Sequence, residues 1–295
     1  MSLFSYRIFD AVAKQESFLK AAETLSITPS AVSHSIASLE TRMGFSLFTR
    51  SRNGVKLTSE GERLLLHVSA LLNCEERINQ EAAQICGLEK GNVVIGTFNS
   101  VCINWIPDII KTFRSLYPNI NISVMQGDYE DNIYWAKMGI TDIGFATMPA
   151  PENLTVTPIN KDRLLCITPK KFKPANPGYV TIEDIRNESF ILQREGSNAD
   201  TNAFISKYKL SVRPQFCLED DLSIIAMVES GLGISIVPEL VLNKVQFDIN
   251  IYPIRPEEHR TIGILTNKIK VLSPAALKMY NTIISYLESR NLMNV

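Results

Sequence analysis

Apolar residues in the opening stretch recur at helical spacing. Phe4, Ile8 and Val12 stand four apart with Phe9 and Ala13 beside them, which predicts an amphipathic helix. Ser17 reads as the N-cap of a short second helix whose small and apolar positions Phe18, Ala21, Ala22 and Leu25 follow steps of three and four. After a break at Ser26 and Ile27, Thr28 followed by Pro29 is a helix start that combines a capping hydroxyl with a residue lacking the N–H that this position leaves unbonded anyway. In the helix that follows, Val32, Ile36 and Leu39 share one face, and Ser30, Ser33, His34 and Ala37 share the opposite one. Residues 50–57 read as a hairpin with Asn53-Gly54 as its two-residue primed turn. Ser59 and Glu62 read as a capping box that opens a helix running to about residue 85. Along it Leu64, Val68, Leu71, Glu75, Ile78, Ala82 and Ile85 alternate steps of four and three, a heptad seam interrupted by one acid; Gly87 and Gly91 then mark a linker.

Beyond residue 91 the period changes. Short β-rich runs at 93–95, 120–124, 142–145, 164–167, 190–192, 234–237 and 261–265 alternate with helical stretches such as 107–116, 224–230 and 275–289. This alternation predicts an α/β domain with mainly parallel sheets covered by helices on both faces. The expected division is 1–58 for the all-α head with its hairpin, 59–90 for the connecting helix and 91–295 for the α/β domain.

Two short helices joined by a tight turn, the later one carrying small polar residues near its start, meet the steric needs of reading a DNA major groove. The hairpin carries Arg50, Arg52 and Lys56, cations placed to grip phosphates as a wing. Periodicity alone fits a solvated face on a plain helical bundle equally well. The net charge of −1 over 295 residues argues against a chain that coats nucleic acid indiscriminately, although residues 1–60 hold seven Lys/Arg against five acids. Arg7, Asp10 and Lys14 interrupt any apolar signal-peptide core, and no run is apolar enough to span a bilayer, so a cytoplasmic, non-membrane protein is expected. Cys74, Cys86, Cys102, Cys166 and Cys217 match neither a disulfide framework nor a zinc site and read as reduced thiols. There is no phosphate-cradling glycine-lysine loop or nucleophile elbow, and His34, His67 and His259 show no triad or metal spacing, so no catalysis, cofactor or metal is expected.

Residues 6–62 resemble the N-terminal domain of LysR-type transcriptional regulators. The resemblance is carried by Ser17-Phe18, Ala21-Ala22 and Leu25, by the run from Thr28-Pro29-Ser30-Ala31-Val32 through Ser33-His34-Ser35-Ile36, and by Leu39-Glu40, Gly44, Leu47-Phe48, Arg50, Leu57-Thr58 and Gly61. It implies a winged helix-turn-helix with DNA contacts from Thr28, Ser30, Ser33, His34, Ser35, Arg50, Arg52 and Lys56. Many members carry Gln and Arg where this chain has Pro29 and His34, so bidentate base readings from those positions do not carry over.

More loosely, the remainder resembles the effector-binding domain of the same family, which is similar to periplasmic binding proteins. Landmarks are Ile95-Gly96 with Pro107, Gly139 with Asp142-Ile143-Gly144, and Glu229-Ser230-Gly231-Leu232-Gly233-Ile234 with Val237-Pro238. Two lobes are implied, lobe I at about 91–161 and 267–295 and lobe II at about 162–266. Ligands in open α/β sheets settle beyond the carboxyl ends of strands, which points to Thr97, Asn99 and Ser100, then Gly127 and Asp128, then Thr147, and in the second lobe Gln193 and Ser197. Ser100 and Thr147 match positions where the family places a hydroxyl on its ligand. This set is polar and nearly uncharged and suits a carboxylate, with Asp128 opposing it. The resemblance implies a sequence-specific regulator modulated by a small molecule, a homodimer through the linker helix, a homotetramer built from such dimers, and contact with RNA polymerase. Two rivals stay open: a small-molecule binding protein whose helical front serves assembly, and an architectural DNA-binding protein that ignores ligands.

Overall fold

A computed structural model of the chain describes residues 2–51, 54–85, 90–149, 154–194, 199–210, 216–244, 246–267 and 272–295. It divides into two compact units, Met1–Lys90 with Lys137–Ile140, and Gly91–Ala136 with Thr141–Val295.

The first unit opens with α1 (Leu3–Gln15), α2 (Phe18–Leu25) and α3 (Pro29–Met43), followed by the hairpin β1 (Phe48–Ser51) and β2 (Gly54–Leu57) and the long helix α4 (Ser59–Ile85). The expected caps form: Ser17 accepts from the Lys20 N–H, and Thr28 from the Ala31 N–H. Phe9, Val12, Ala21, Ala22, Val32, Ile36, Leu39 and Leu47 close one apolar core, joined by Leu65 and Val68 from α4. Two local readings need correction. Ser51 pairs with Gly54, so Gly54 (φ 119°) stands in the strand and Asn53-Gly54 is not the turn pair. The cap of α4 is Thr58 rather than Ser59: Thr58 Oγ1 accepts from the Gly61 N–H at 3.0 Å, while the Ser59 hydroxyl turns to Glu60.

The second unit begins with β3 (Gly91–Thr97), α5 (Asn99–Asn104), α6 (Ile106–Leu116), β4 (Ile120–Gln126), α7 (Tyr129–Met138) and β5 (Gly144–Thr147). The 16-residue strand β6 (Leu154–Pro169) leads to β7 (Val180–Thr181), α8 (Ile182–Ile185), β8 (Ile191–Gln193), α9 (Ala199–Lys207), β9 (Phe216–Leu218), α10 (Asp221–Glu229), β10 (Ser235–Pro238) and α11 (Glu239–Leu242). The chain closes with β11 (Ile249–Arg255), β12 (His259–Asn267) and α12 (Pro274–Ser289).

Among the described residues β3 pairs parallel with β4, β8 with β9 and β7 with β11, and single parallel bridges join Ile95 to Ile143 and Phe190 to Ile234, whereas the longer ladders are antiparallel, β6 to β10, β11 and β12, and β12 to β5. The mainly parallel expectation fails because β6 carries the chain from the first lobe into the second and β12 brings it back along the same passage. Strands that traverse one passage in opposite senses pair antiparallel. Since β12 pairs with β5 and with the first half of β6 from His259 onward, the return to the first lobe falls near residue 259 and not near 266. Each lobe keeps its own core, Ile95, Ile109, Phe113, Phe145, Ile264 and Ile283 in the first and Cys166, Ile185, Phe190 and Ile236, with Ile191 and Ile225 beside them, in the second.

Candidate functional site: an exposed recognition helix and an acidic interlobe cavity

In the first unit, Val32, Ile36 and Leu39 of α3 are sealed in the core, which turns the opposite face outward. Thr28, Ser30, His34 and Ala37 are exposed and Ser33 and Ser35 half-buried, with Thr28 and Ser30 hydroxyls 3.0 Å apart at the helix start. Lys56 is exposed on β2. Arg50 belongs to β1, but its side chain and all of Arg52 lie outside the described residues. Glu40, on the inner side of α3, accepts from the Leu47 N–H at 2.7 Å and the Phe48 N–H at 3.3 Å, fixing the root of the hairpin against the helix. Its role was not legible as such, because a carboxylate seven residues before its partner has no periodic signature.

In the second unit a cavity of about 430 Å³ opens between the two lobes. Five expected residues line it: Asn99, Ser100, Gly127, Asp128 and Gln193. Thr97 is fully buried beneath the wall, its hydroxyl donating to the Phe98 carbonyl; Thr147 ends β5 opposite Ile262 and is not on the wall; Ser197 lies outside the described residues. Asn99, Ser100, Gly127 and Asp128 lie past the ends of β3 and β4, where such clefts open, whereas Thr97 and Thr147 are committed to the sheet; Gln193 reaches the wall although it is the last residue of β8.

The lining corrects the expectation of a nearly uncharged site. Asp128, Asp200, Glu219, Asp220 and Asp221 all face the cavity, against one guanidinium, Arg260. Arg260 sits at the start of β12 with only 4% of its surface exposed. Its Nε and Nη2 donate to Asp162 Oδ2 at 2.9 and 2.7 Å, Nη2 also to Ser100 Oγ at 2.8 Å, and Nη1 to Tyr129 Oη at 2.5 Å; the Phe98 ring lies 5.2 Å away. Burial alone would depress its pKa, but Tyr129, Asp162 and Asp200 outweigh that and hold it above the ordinary arginine value.

Hydrogen bonds between side chains of the cavity wall join the two lobes. Tyr129 Oη donates to Asp200 Oδ2 at 2.9 Å, and Asn99 Nδ2 to Asp221 Oδ2 at 2.8 Å, with Gln126 Nε2 donating to Asn99 Oδ1 at 3.4 Å. Burial raises both acids above the usual carboxylate range, only partly offset by Arg260 and by the donors Tyr129 and Asn99. Tyr129, Asp200, Asp221 and Arg260 had not been singled out from the sequence. Among the described residues no cluster of three potential metal ligands occurs, Cys74, Cys102, Cys166 and Cys217 are free thiols, and no helix is long and apolar enough to cross a membrane.

Against known families, residues 3–62 match the model described as bacterial regulatory helix-turn-helix protein, lysR family, and residues 87–287 match the LysR substrate binding domain. The chain belongs to the LysR family. This LysR-type protein is therefore a DNA-binding transcriptional regulator with an effector-binding domain, as the sequence resemblance implied. It is 28% identical to the transcriptional dual regulator GltC of Bacillus subtilis over 294 residues, 97% of each chain. In fold it is similar to full-length OxyR from Pseudomonas aeruginosa, with a TM-score of 0.79 at 19% identity, covering 98% of this chain and 95% of that one. It is similar as well to full-length CbnR in complex with its target DNA, with a TM-score of 0.64 at 20% identity, covering 97% of this chain and all of that one.

Proposed function

We propose that this regulator reads its operator with the outward face of α3, Ser30, Ser33, His34 and Ser35, capped by Thr28, while Arg50, Arg52 and Lys56 hold the phosphates. The observation that carries this reading is the burial of Val32, Ile36 and Leu39, which commits the small polar face of α3 to the outside. Small side chains let a helix backbone come close to base edges, and hairpin cations supply sequence-independent affinity. The interlobe cavity is the effector site, walled by Asn99, Ser100, Gly127, Asp128 and Gln193 together with the side chains that pin the lobes. An effector acts by binding one separation of the lobes better than another, shifting the population of DNA-bound geometries. Two chains associate through α4, a tetramer follows by kinship, and RNA polymerase is the downstream contact; the protein works in the cytoplasm and catalyses nothing.

Footprinting on DNA flanking the protein's own gene tests the reading, comparing the natural chain with Ser33→Ala and Lys56→Ala. A dyad-related protected site is expected. Ser33→Ala should relax protection at particular bases, whereas Lys56→Ala should weaken it uniformly and lower the log–log salt slope by about one. Binding that is sequence-blind in the natural chain would sink the operator reading in favour of an architectural role.

A further inference from the structure

The charge balance of the interlobe cavity goes a step further, and it rests on the reading of that cavity as the effector site. We infer that the effector is a small organic cation, an amine or guanidine received by Asp200 and Asp221. Among the described residues Arg260 is the one guanidinium that lines the cavity. A guanidinium has five N–H donors, and four of those of Arg260 are consumed by Asp162, Ser100 and Tyr129. The remaining one is on Nη1, which lies 4.0 Å from Asp200 Oδ2. One donor of Arg260 is left, and a ligand carboxylate that reached for it would lie beside Asp200.

The second source of positive potential in such clefts is the amide end of a helix, which favours anions. At α7, α9 and α10 those ends carry the chain's own carboxylates, whereas the six-residue α5 carries none. Asp128 accepts from the Asp131 N–H at 2.8 Å at the start of α7, and Asp220 from the Ser223 N–H at 2.9 Å at the start of α10. Asp200 and Asp221 occupy the first turns of α9 and α10. An anion approaching α7, α9 or α10 would meet these carboxylates before it met an amide.

Asp221 adds an independent pointer. It is 93% buried on the cavity wall, since 7% of its surface is exposed, and among the described residues no cation lies within ion-pair distance of it. Glu219, by contrast, is met by Arg194 at 2.6 Å. A desolvated carboxylate with a neutral amide as its partner is costly unless it is protonated or paired. An ammonium or guanidinium in the cavity supplies the missing charge, and the neutral walls Asn99, Gln126 and Gln193 leave room for the rest of a small molecule.

Thermal unfolding and calorimetric titration of the full-length protein at one ionic strength decide the matter, with putrescine, agmatine and choline as cationic probes and succinate and benzoate as anionic ones. At least one cation should bind and raise Tm. Asp221→Asn and, separately, Asp200→Asn should weaken that binding by roughly thirtyfold or more, as loss of a buried charge partner does. No binding by any of the three cations, or binding unchanged in both variants, overturns the proposal. Binding of an anion that is lost in Asn99→Ala overturns the charge class and leaves the effector site standing. Binding of neither class, with operator protection indifferent to all five probes, removes the effector reading of the cavity as well.

Discussion

Arg260 shows how much a single side chain can be asked to hold. Its side chain is 2% exposed and that of Asp162 4%, so each is the other's replacement for water. Arg260→Ala would strand the Asp162 carboxylate, and removal of one member of a buried pair costs about 3–5 kcal/mol. Urea unfolding of the variant should show that loss, and Arg260→Met combined with Asp162→Asn should recover part of it; equal stability of the single variant and the natural chain would refute the account. Asp221 sits on the other side of the ledger of charge. Its folded pKa is raised by burial, so the folded state binds more protons than the unfolded one, and stability falls as pH climbs from the ordinary aspartate value through the raised one. Asp221→Asn should therefore raise the Tm of the ligand-free protein at neutral pH, with the gain vanishing at pH below the ordinary aspartate value; the neighbours Asp220, Asp200 and Arg260 are unchanged in the comparison. Asn99, Ser100 and Asp128 could be named from sequence because each directly follows a strand or opens a helix. Arg260 could not, because its partners Ser100 and Asp162 stand 160 and 98 residues away and burial leaves no periodic trace.

At the scale of elements, caps and close approaches set where helices begin and how they meet. An added Cβ on Gly61 would lie 2.3 Å from the Leu47 carbonyl oxygen and 3.0 Å from Leu57 Cδ2, so the first turn of α4 sits directly on the root of the hairpin. Gly61→Ala forces backbone apart and should destabilise the first unit by about 1–3 kcal/mol, whereas Gly178→Ala, whose Cβ meets only the Asn176 Oδ1 at 3.6 Å, should be near neutral. Differential scanning calorimetry of the two variants checks this, and an unperturbed Gly61→Ala transition would mean the hairpin root is free to shift. The four-residue period made α1, α2 and α3 legible, and Thr28-Pro29 marked the start of α3 to the residue. Thr58 and Ser59 are both capping residues, so sequence could not choose between them; the choice falls to Thr58 because its hydroxyl also donates to the Ser46 carbonyl, tying the helix start to the hairpin. Strand direction was hidden for a different reason. A run such as 164–167 announces a strand but not that it belongs to the single long β6, and pairing sense depends on that continuity.

For the molecule as a whole the decisive question is what covers α4. Leu65 and Val68 are buried in the chain's own core, and Glu75, the acid in the seam, is held by Arg7 of α1 at 2.5 and 3.1 Å. Leu64 packs partly against that core too, but farther along the seam is left open, with Leu71, Ile78 and Ile85 exposed by 43%, 64% and 80%. Three apolar side chains at heptad spacing on a 27-residue helix are costly in water and well suited to a second copy of the same helix. The interruption at Glu75 is then no defect, since it ties α4 to α1 and leaves the positions around it free for the proposed partner helix. Leu71→Glu/Ile78→Glu should convert the protein to monomers in sedimentation equilibrium without loss of helical circular dichroism, because both side chains are exposed in the single chain. Two reading heads joined in one dimer bind a dyad site with avidity that exceeds either head alone by roughly 10²–10⁴-fold. The same variant should accordingly lose operator protection by a factor in that range, although α3 and Lys56 are untouched. Monomers that kept full operator affinity would mean that one head suffices, and dimers that survived the substitution would move the self-association surface away from α4.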